Sequence, residues 1–328
     1  MQKTDKDIIN QKNLISFLEK KLFKEKILSL YQFQRGASSF NYLVTLHNKK
    51  VLVKLAWKYK KTGVERLVKI ISLLSEQKIL PTANVIPFNN KKIFKYNHIY
   101  GFVLEYIEGK SLPATKITQK HIQDIIAYYK NIQQARMNEK LLMPTYDFKL
   151  IQKNYLYNCN KMIQQSKKNL LFSFLLNQCK KNLIQIGNSS LQILDEKKEI
   201  IHGDFHHNNL LFQNNKLVAV LDLEDLGYGY KSEDLLRFIL CLIARQPFFY
   251  PRKKYLYSYL KYITKEFKYS EDEWIAGLNS FTLQKYKKMF SKVRKANFSN
   301  AKKMIQILFF MRQYKLIEAY FNKELHRT

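Results

Sequence analysis

Ile201-His202-Gly203-Asp204-Phe205-His206-His207-Asn208-Asn209-Leu210-Leu211-Phe212, followed by Val218-Ala219-Val220-Leu221-Asp222-Leu223-Glu224, is the stretch on which the reading of this chain turns. Asp204 and Asn209 lie five residues apart, and Asn209 and Asp222 thirteen. Phosphoryl transfer from a nucleotide can use those spacings: one carboxylate meets an acceptor hydroxyl, while an amide and a second carboxylate hold Mg²⁺. Ile200-Ile201, Leu210 to Phe212 and Leu217 to Leu223 read as short strands, with Asn214-Asn215 in the last turn. Alone, Asp204 and Asn209 would be ordinary turn or cap residues. Asp222 is different, because it interrupts an apolar run that should be buried. An ionised carboxylate there is costly unless a cation or several donors meet it. Glu224, two residues on, falls on the same strand face as a further metal ligand, a supporting partner or an exposed strand end. His202 can hold the loop through its backbone. His202, His206 and His207 have no Cys or Glu-x-x-His partner pattern, which argues against zinc.

Lys54 is the second informative position. Phe40 to Leu46 and Val51 to Ala56 are β-rich runs on either side of the turn signal His47-Asn48-Lys49-Lys50. Lys54 alternates with Leu52 and Ala56, so it faces the apolar side of its strand. It reads either as a lysine snorkelling at a sheet rim or as a cation reaching nucleotide phosphates. Upstream, Gly36, Ser38 and Ser39 lie in a small-residue turn whose N–H groups could cover those phosphates. Glu65, on the helix expected over residues 64 to 78, could pair with Lys54. Residues 5 to 29 also carry helix-period apolar positions. Ile93-Phe94 and Tyr100 to Tyr106 read as strands around a turn at Asn97-His98. After Gly109 the pattern is mainly helical, at 118 to 136, 150 to 195 and from Ser232 onward. The expected organisation is an N-terminal lobe over residues 1–107 and a helical C-terminal lobe over 108–328, the latter containing the hairpin 199–224. A cleft between two such lobes is a favoured place for a ligand.

Composition narrows the class. The chain has 328 residues, of which 46% are hydrophobic, with only 9 Gly and 6 Pro, so it should be globular. No apolar run approaches the roughly 20 residues of a membrane helix. The first residues lack the apolar core of a signal peptide. Cys159, Cys179 and Cys241 are not in metal-binding pairs and read as reduced thiols in a cytoplasmic protein. Lys and Arg total 57 against 26 Asp and Glu, a formal charge of +31. Such a surface attracts nucleotides, anionic sugars, acidic lipid and nucleic acid. Drift in an AT-rich genome would also produce it. The basic residues are scattered rather than gathered in an arm, so no specific nucleic acid is expected.

Taken together, these motifs resemble the aminoglycoside phosphotransferase/choline kinase family, which has the protein-kinase-like fold. The carrying residues are His202 to Asn209 with Leu210-Leu211-Phe212, then Leu221-Asp222-Leu223-Glu224, then Gly227 through Asp234-Leu235-Leu236. The Gly36 to Asn41 turn, Lys54, Glu65 and the hinge-like Val103 to Gly109 follow in the same order. The resemblance spans about residues 30 to 240. It implies an α+β, bilobal fold with a small β-rich lobe and a larger helical one, and transfer of the γ-phosphate of ATP to a hydroxyl. It implies Asp204 as base, Asn209 and Asp222 as Mg²⁺ ligands, Lys54 on phosphate with Glu65 its partner, and the backbone of Glu105, Tyr106 and Ile107 on adenine. Asp234 would brace the catalytic loop. Two departures stand out: the Gly36 turn is glycine-poor, and Glu224-Asp225 is a fuller acidic cluster than the family pattern.

The acceptor is less legible. Phe248 to Pro251 and Tyr255 to Tyr262 are aromatic-rich, which suits either helix core or a cage for a quaternary ammonium such as choline. The same region carries Arg245, Arg252, Lys253, Lys254, Lys261 and Lys265, whereas a polycationic aminoglycoside would want acid. The charge leans towards a neutral or anionic acceptor, such as a sugar or an envelope glycolipid headgroup, beside the amino alcohol that the aromatic residues would suit, with transient contact to acidic membrane or anionic glycolipid. The competing readings are a basic binding protein for nucleic acid or acidic membrane on a kinase-like scaffold, an aminoglycoside kinase, and a protein Ser/Thr kinase. No extended activation segment separates Asp222 from Asp234, which disfavours the last.

Overall fold

The computed structural model describes residues 9–33, 38–78, 81–142, 148–165, 170–190, 198–244, 252–290, 312, 314–321 and 323. The chain divides into two compact units. The first holds Met1–Lys110, Gln134–Leu141 and Leu210–Glu224; the second holds Ser111–Gln133, Leu142–Asn209 and Asp225–Thr328.

The first unit is built on an antiparallel sheet of β1 (Ser29–Gln32), β2 (Phe40–Thr45), β3 (Lys50–Leu55), β4 (Val85–Ile86), β5 (Phe94–Tyr96) and β6 (Ile99–Glu105), in the order β1-β2-β3-β6-β4 with β5 also on β6. Period-2 patterning explains the strands. Phe40, Tyr42 and Val44 of β2 and Val51, Val53 and Leu55 of β3 are buried on one face. They form a core with Leu14, Leu18, Leu22 and Ile27, from α1 (Gln11–Phe17) and the chain after it. Lys54 therefore lies on the opposite face, opposite Phe102 of β6. The leading helix is shorter than its periodicity suggests. It widens over Leu18–Phe23 and stops at Lys24, which is left-handed at φ 55°, and Ser29, the last residue of the helix-period run, opens β1. There the ladder from Leu28 N–H to the Thr45 carbonyl outweighs helix propensity. The hairpin β5–β6 turns at Asn97, with φ 52°, as its sequence suggests. A second hairpin, β8 (Leu210–Gln213) with β9 (Lys216–Val220), has both residues of its turn, Asn214 and Asn215, at positive φ, 51° and 61°. That is the twist two-residue hairpins favour. One helix, α2 (Lys61–Glu76), buries Val64, Leu67, Val68, Ile71 and Leu74.

The second unit is mainly helical: α3 (Gln119–Ile132), α4 (Phe148–Gln165), α5 (Leu170–Ser190), α6 (Glu233–Ala244), α7 (Arg252–Glu266) and α8 (Glu271–Phe290). A two-stranded sheet pairs β7 (Glu199–Ile201) with β10 (Gly227–Gly229). The α6 helix is buried nearly all round and packs on α7 and α8. Its start lies so close to α8 that a Cβ on Gly277 would collide with Ser232 and the Glu233 N–H, which only glycine avoids. Trp274 of α8 is fully buried and stacks on Phe321. On α7 the buried stripe is Leu256, Leu260 and Ile263, while Tyr257 packs on Tyr320. Tyr255, Tyr257, Tyr259 and Tyr262 are half-buried beside that stripe. Phe248 to Pro251 lie outside the described residues. No described helix is long and apolar enough to cross a membrane.

Candidate active site

In the first unit the site is organised by Glu224. After β9 the chain leaves the sheet: Asp222 is left-handed at φ 64°, and Leu223–Asp225 form a 3₁₀ turn. Asp222 and Glu224 therefore do not share a strand face. The burial expected of Asp222 belongs to Glu224 instead. The Asp222 side chain is 48% exposed and that of Glu224 only 9%. A positive φ is tolerated better by Asp than by most residues, which permits the turn there.

Lys54 Nζ lies 2.5 Å from Glu224 Oε1 and 3.4 Å from Asp222 Oδ1. Ser38 Oγ donates to Glu224 Oε2 at 2.6 Å and the Tyr59 hydroxyl at 2.9 Å. Arg66 of α2 donates to the Glu224 carbonyl at 3.2 Å and to the Leu141 carbonyl at 2.6 Å. Burial by itself would raise the Glu224 carboxyl, but Lys54, Ser38 and Tyr59 hold it below the usual range. Burial would likewise lower Lys54, and the two carboxylates raise it instead. Glu65 is elsewhere. It faces Lys61 across a helix turn at 3.4 Å, with its side chain 47% exposed, so α2 presents Arg66 and not Glu65 to this cluster. Ser39 is buried, and Gly36 lies outside the described residues. The hinge ends the sheet at Glu105, whose side chain accepts from Asn84 Nδ2 at 2.8 Å. Tyr106 and Ile107 follow outside the ladder.

In the second unit Asp204 stands in a braced loop. Asp234, fully buried at the start of α6, accepts from the His202 N–H at 2.5 Å and the Gly203 N–H at 3.1 Å. Gly203 is at φ +80°, and a Cβ there would strike the Asp225 carbonyl. Asn209 Nδ2 donates to the Asp204 carbonyl at 3.0 Å, closing the loop from its other end. The His202 ring nitrogen Nδ1 accepts from the Asp204 N–H at 3.3 Å. The Asp204 carboxylate lies 3.4 Å from His206 Nε2 and 3.6 Å from Arg237 Nη1. His206 thus faces Asp204.

Arg237 is the residue that the motif reading missed. It is 1% exposed, 2.9 Å from Glu233, within reach of Asp234 and Asp204, and over the Phe281 ring. Gln284 Oε1 also accepts from it, at 2.5 Å. Its signal was present: a single arginine interrupts Leu235-Leu236-Arg237-Phe238-Ile239-Leu240 in a helix buried all round. Burial, with Asp204 nearby, still pushes Asp234 up to about 6, against the pull of Arg237 and the two amides. Tyr59 and Arg66 had no such signal. Each set has a clear chemical use: a buried ammonium in a carboxylate cluster, and a carboxylate in a rigid loop beside two basic groups.

The model of the APH phosphotransferase enzyme family matches residues 29–261. Among solved structures, spectinomycin phosphotransferase APH(9)-Ia in complex with ADP and spectinomycin has 14% identity and a TM-score of 0.67, over 94% of this chain and 97% of that one. The aminoglycoside phosphotransferase of Alicyclobacillus acidocaldarius has 12% identity and a TM-score of 0.69, over 98% and 97%. ADP-bound aminoglycoside phosphotransferase APH(2'')-Ib has 18% identity and a TM-score of 0.58, over 92% and 98%. These likenesses establish the fold, which is the α+β, kinase-like one that the motifs imply. No curated protein sequence matches significantly.

Proposed function

The chain belongs to the APH phosphotransferase enzyme family and is a kinase for hydroxyl acceptors; from that premise we propose that it moves the γ-phosphate of ATP, with Mg²⁺, to a hydroxyl of a small molecule, with Asp204 as the base. The observation that carries this reading is the loop around Asp204. Asp234 takes two successive amides, Gly203 admits the turn and Asn209 closes it, so the one carboxylate between them is held where an acceptor hydroxyl can be met.

Asn209 and Asp222 offer the hard oxygen donors that Mg²⁺ takes, and the half-exposed Asp222 side chain can reach a ligand. Phosphate oxygens and water would complete the site. When bound, Mg²⁺ would neutralise phosphate charge. Lys54 would contact the phosphates, keeping Glu224 behind it as its fixed partner. The backbone of Glu105 to Ile107 would hydrogen-bond adenine.

For the acceptor, the formal charge of +31 disfavours a polycation and favours a neutral or anionic hydroxyl compound. A sugar or a glycolipid headgroup is the class we assign on charge; an amino alcohol, a single cation, rests on the aromatic residues of α7 instead. The test is phosphate transfer from labelled ATP to a panel of sugars, amino alcohols, aminoglycosides and lipid extracts, with Asp204→Ala as control. Transfer that falls by roughly 10²-fold or more in the variant supports the base. Near-normal turnover of Asp204→Ala sinks that role, and efficient transfer to aminoglycosides alone sinks the acceptor class.

A further inference from the structure

The helix pair α4–α5 is amphipathic in an unusual direction. Its inward stripes are ordinary: Tyr155 and Cys159 on α4, and Leu176, Cys179, Leu183 and Ile186 on α5, are buried. Its outward stripes should be polar, yet four of the six large apolar side chains most exposed among the described residues lie here. Tyr157 is 67% exposed, Leu170 83%, Phe174 57% and Ile184 42%. Leu170, Phe174, Lys181 and Ile184 are separated by four, seven and three residues, which puts them on one side of α5. On α4 the exposed Tyr157 has exposed Lys153 and Lys161 one turn to either side.

The charge on this element is as one-sided as its exposure. From Phe148 to Ser190 there are seven Lys and no Asp, Glu or Arg. Exposed apolar side chains on a face with only positive charge describe what an anionic interface takes up: rings and aliphatic groups enter the acyl boundary, while lysines reach the headgroups. Two other occupants fit worse. A second copy would set lysine against lysine with no carboxylate to relieve it. Nucleic acid is met by arginine and polar side chains on phosphate and by stacking rings on bases, and an exposed leucine and isoleucine in a segment without arginine suit neither.

We propose that the outward face of α4–α5 docks this protein on an anionic lipid surface, peripherally, since no described helix could cross the bilayer. The docking is independent of the phosphotransferase chemistry, because none of these residues belongs to the Lys54 or Asp204 cluster.

The test is co-sedimentation of the full chain with vesicles of phosphatidylcholine alone and of phosphatidylcholine with phosphatidylglycerol. The protein should partition onto the second and not the first. Leu170→Glu/Phe174→Glu should lower that partition at least about tenfold. Lys153→Glu/Lys161→Glu/Lys181→Glu should lower it roughly 10²-fold, as each lysine near the surface contributes about fivefold. All five positions are exposed, so the far-UV circular dichroism and thermal transition of both variants should match the parent. Equal partition onto both vesicles, no partition onto either, or a correctly folded variant that binds like the parent would each overturn the proposal. So would a DNA duplex that binds tightly and loses that binding with the same lysines, which assigns the face to nucleic acid. Phosphate transfer is not read in any arm, so failure here leaves the assignment of the base standing.

Discussion

Each unit buries a cation among carboxylates, Lys54 in the first and Arg237 in the second, and the two clusters respond oppositely. In the first, Lys54 faces Glu224 and the half-exposed Asp222, and the Glu224 carboxyl is held below its usual range. In the second, Arg237 faces Glu233, Asp234 and Asp204, and burial raises both Glu233 and Asp234. The difference lies in stoichiometry and water. Lys54 has one buried carboxylate to neutralise, because solvent screens Asp222. Arg237 has two that are almost fully buried and a third nearby, and one positive charge cannot offset that much lost hydration. A buried cation therefore acts as a firm positioning partner in one cluster, and in the other as the minimum that keeps several acids folded together.

The sharpest way to break this contrast is Arg237→Leu. It strands buried carboxylates and should cost about 3–5 kcal/mol in denaturant unfolding. A loss below about 1 kcal/mol would mean that these acids are already neutral and the cluster has been misread.

The pH dependence sharpens the comparison next. A carboxyl raised on folding makes the folded state bind more protons, so its contribution falls as pH rises from the unfolded value towards the folded one. Asp234, raised from 3.8 to about 6, should remove stability between those values, by up to about 3 kcal/mol. Unfolding of Asp234→Asn, followed across that window, should lack this slope; an identical slope in both proteins would rule the assignment out.

Glu224 has the opposite sign. Its contribution is present above the ordinary carboxylate range and is lost as pH falls through its depressed folded value. Glu224→Gln should cost about 1–3 kcal/mol at neutral pH, and the gap to the parent should close in acid. A gap that widened on acidification would refute the pairing with Lys54.

Smallest is Glu65→Gln. Its exposed pair with Lys61 should make the change worth less than about 0.5 kcal/mol. A thermal shift as large as that of Glu224→Gln would restore Glu65 as a partner of Lys54.

Local patterns carried much of the fold. Alternation in Phe40 to Ala56, the Asn97 and Asn214-Asn215 turns and the helix period of α2 and α3 all report short-range sterics, which sequence spacing reads directly. The strands β1 and β4 were not legible. Ser29–Gln32 begins where the helix-period run of residues 5 to 29 ends, and Val85–Ile86 is too short to show a period; both are strands because β2 and β6 offer them hydrogen bonds. In the site, Asp204, Asn209, Asp222 and Lys54 stood out by spacing or by an unusual charge. The identity of Lys54's partner did not, since Glu65 and Glu224 are equally available on paper.

By itself the sequence determined most strands, turns and helices and which polar residues are chemical candidates, because strand alternation, turn chemistry and motif spacing are local properties of the backbone; the kinase-like fold it implied only through the family its motifs resemble. Only the tertiary structure decided that Glu224 rather than Glu65 meets Lys54, that Asp222 turns out towards water, and that Arg237 lies beside Asp204. Those outcomes depend on which side chains share a low-dielectric volume, and residues 168 apart such as Lys54 and Asp222 acquire that relation only when the chain is packed.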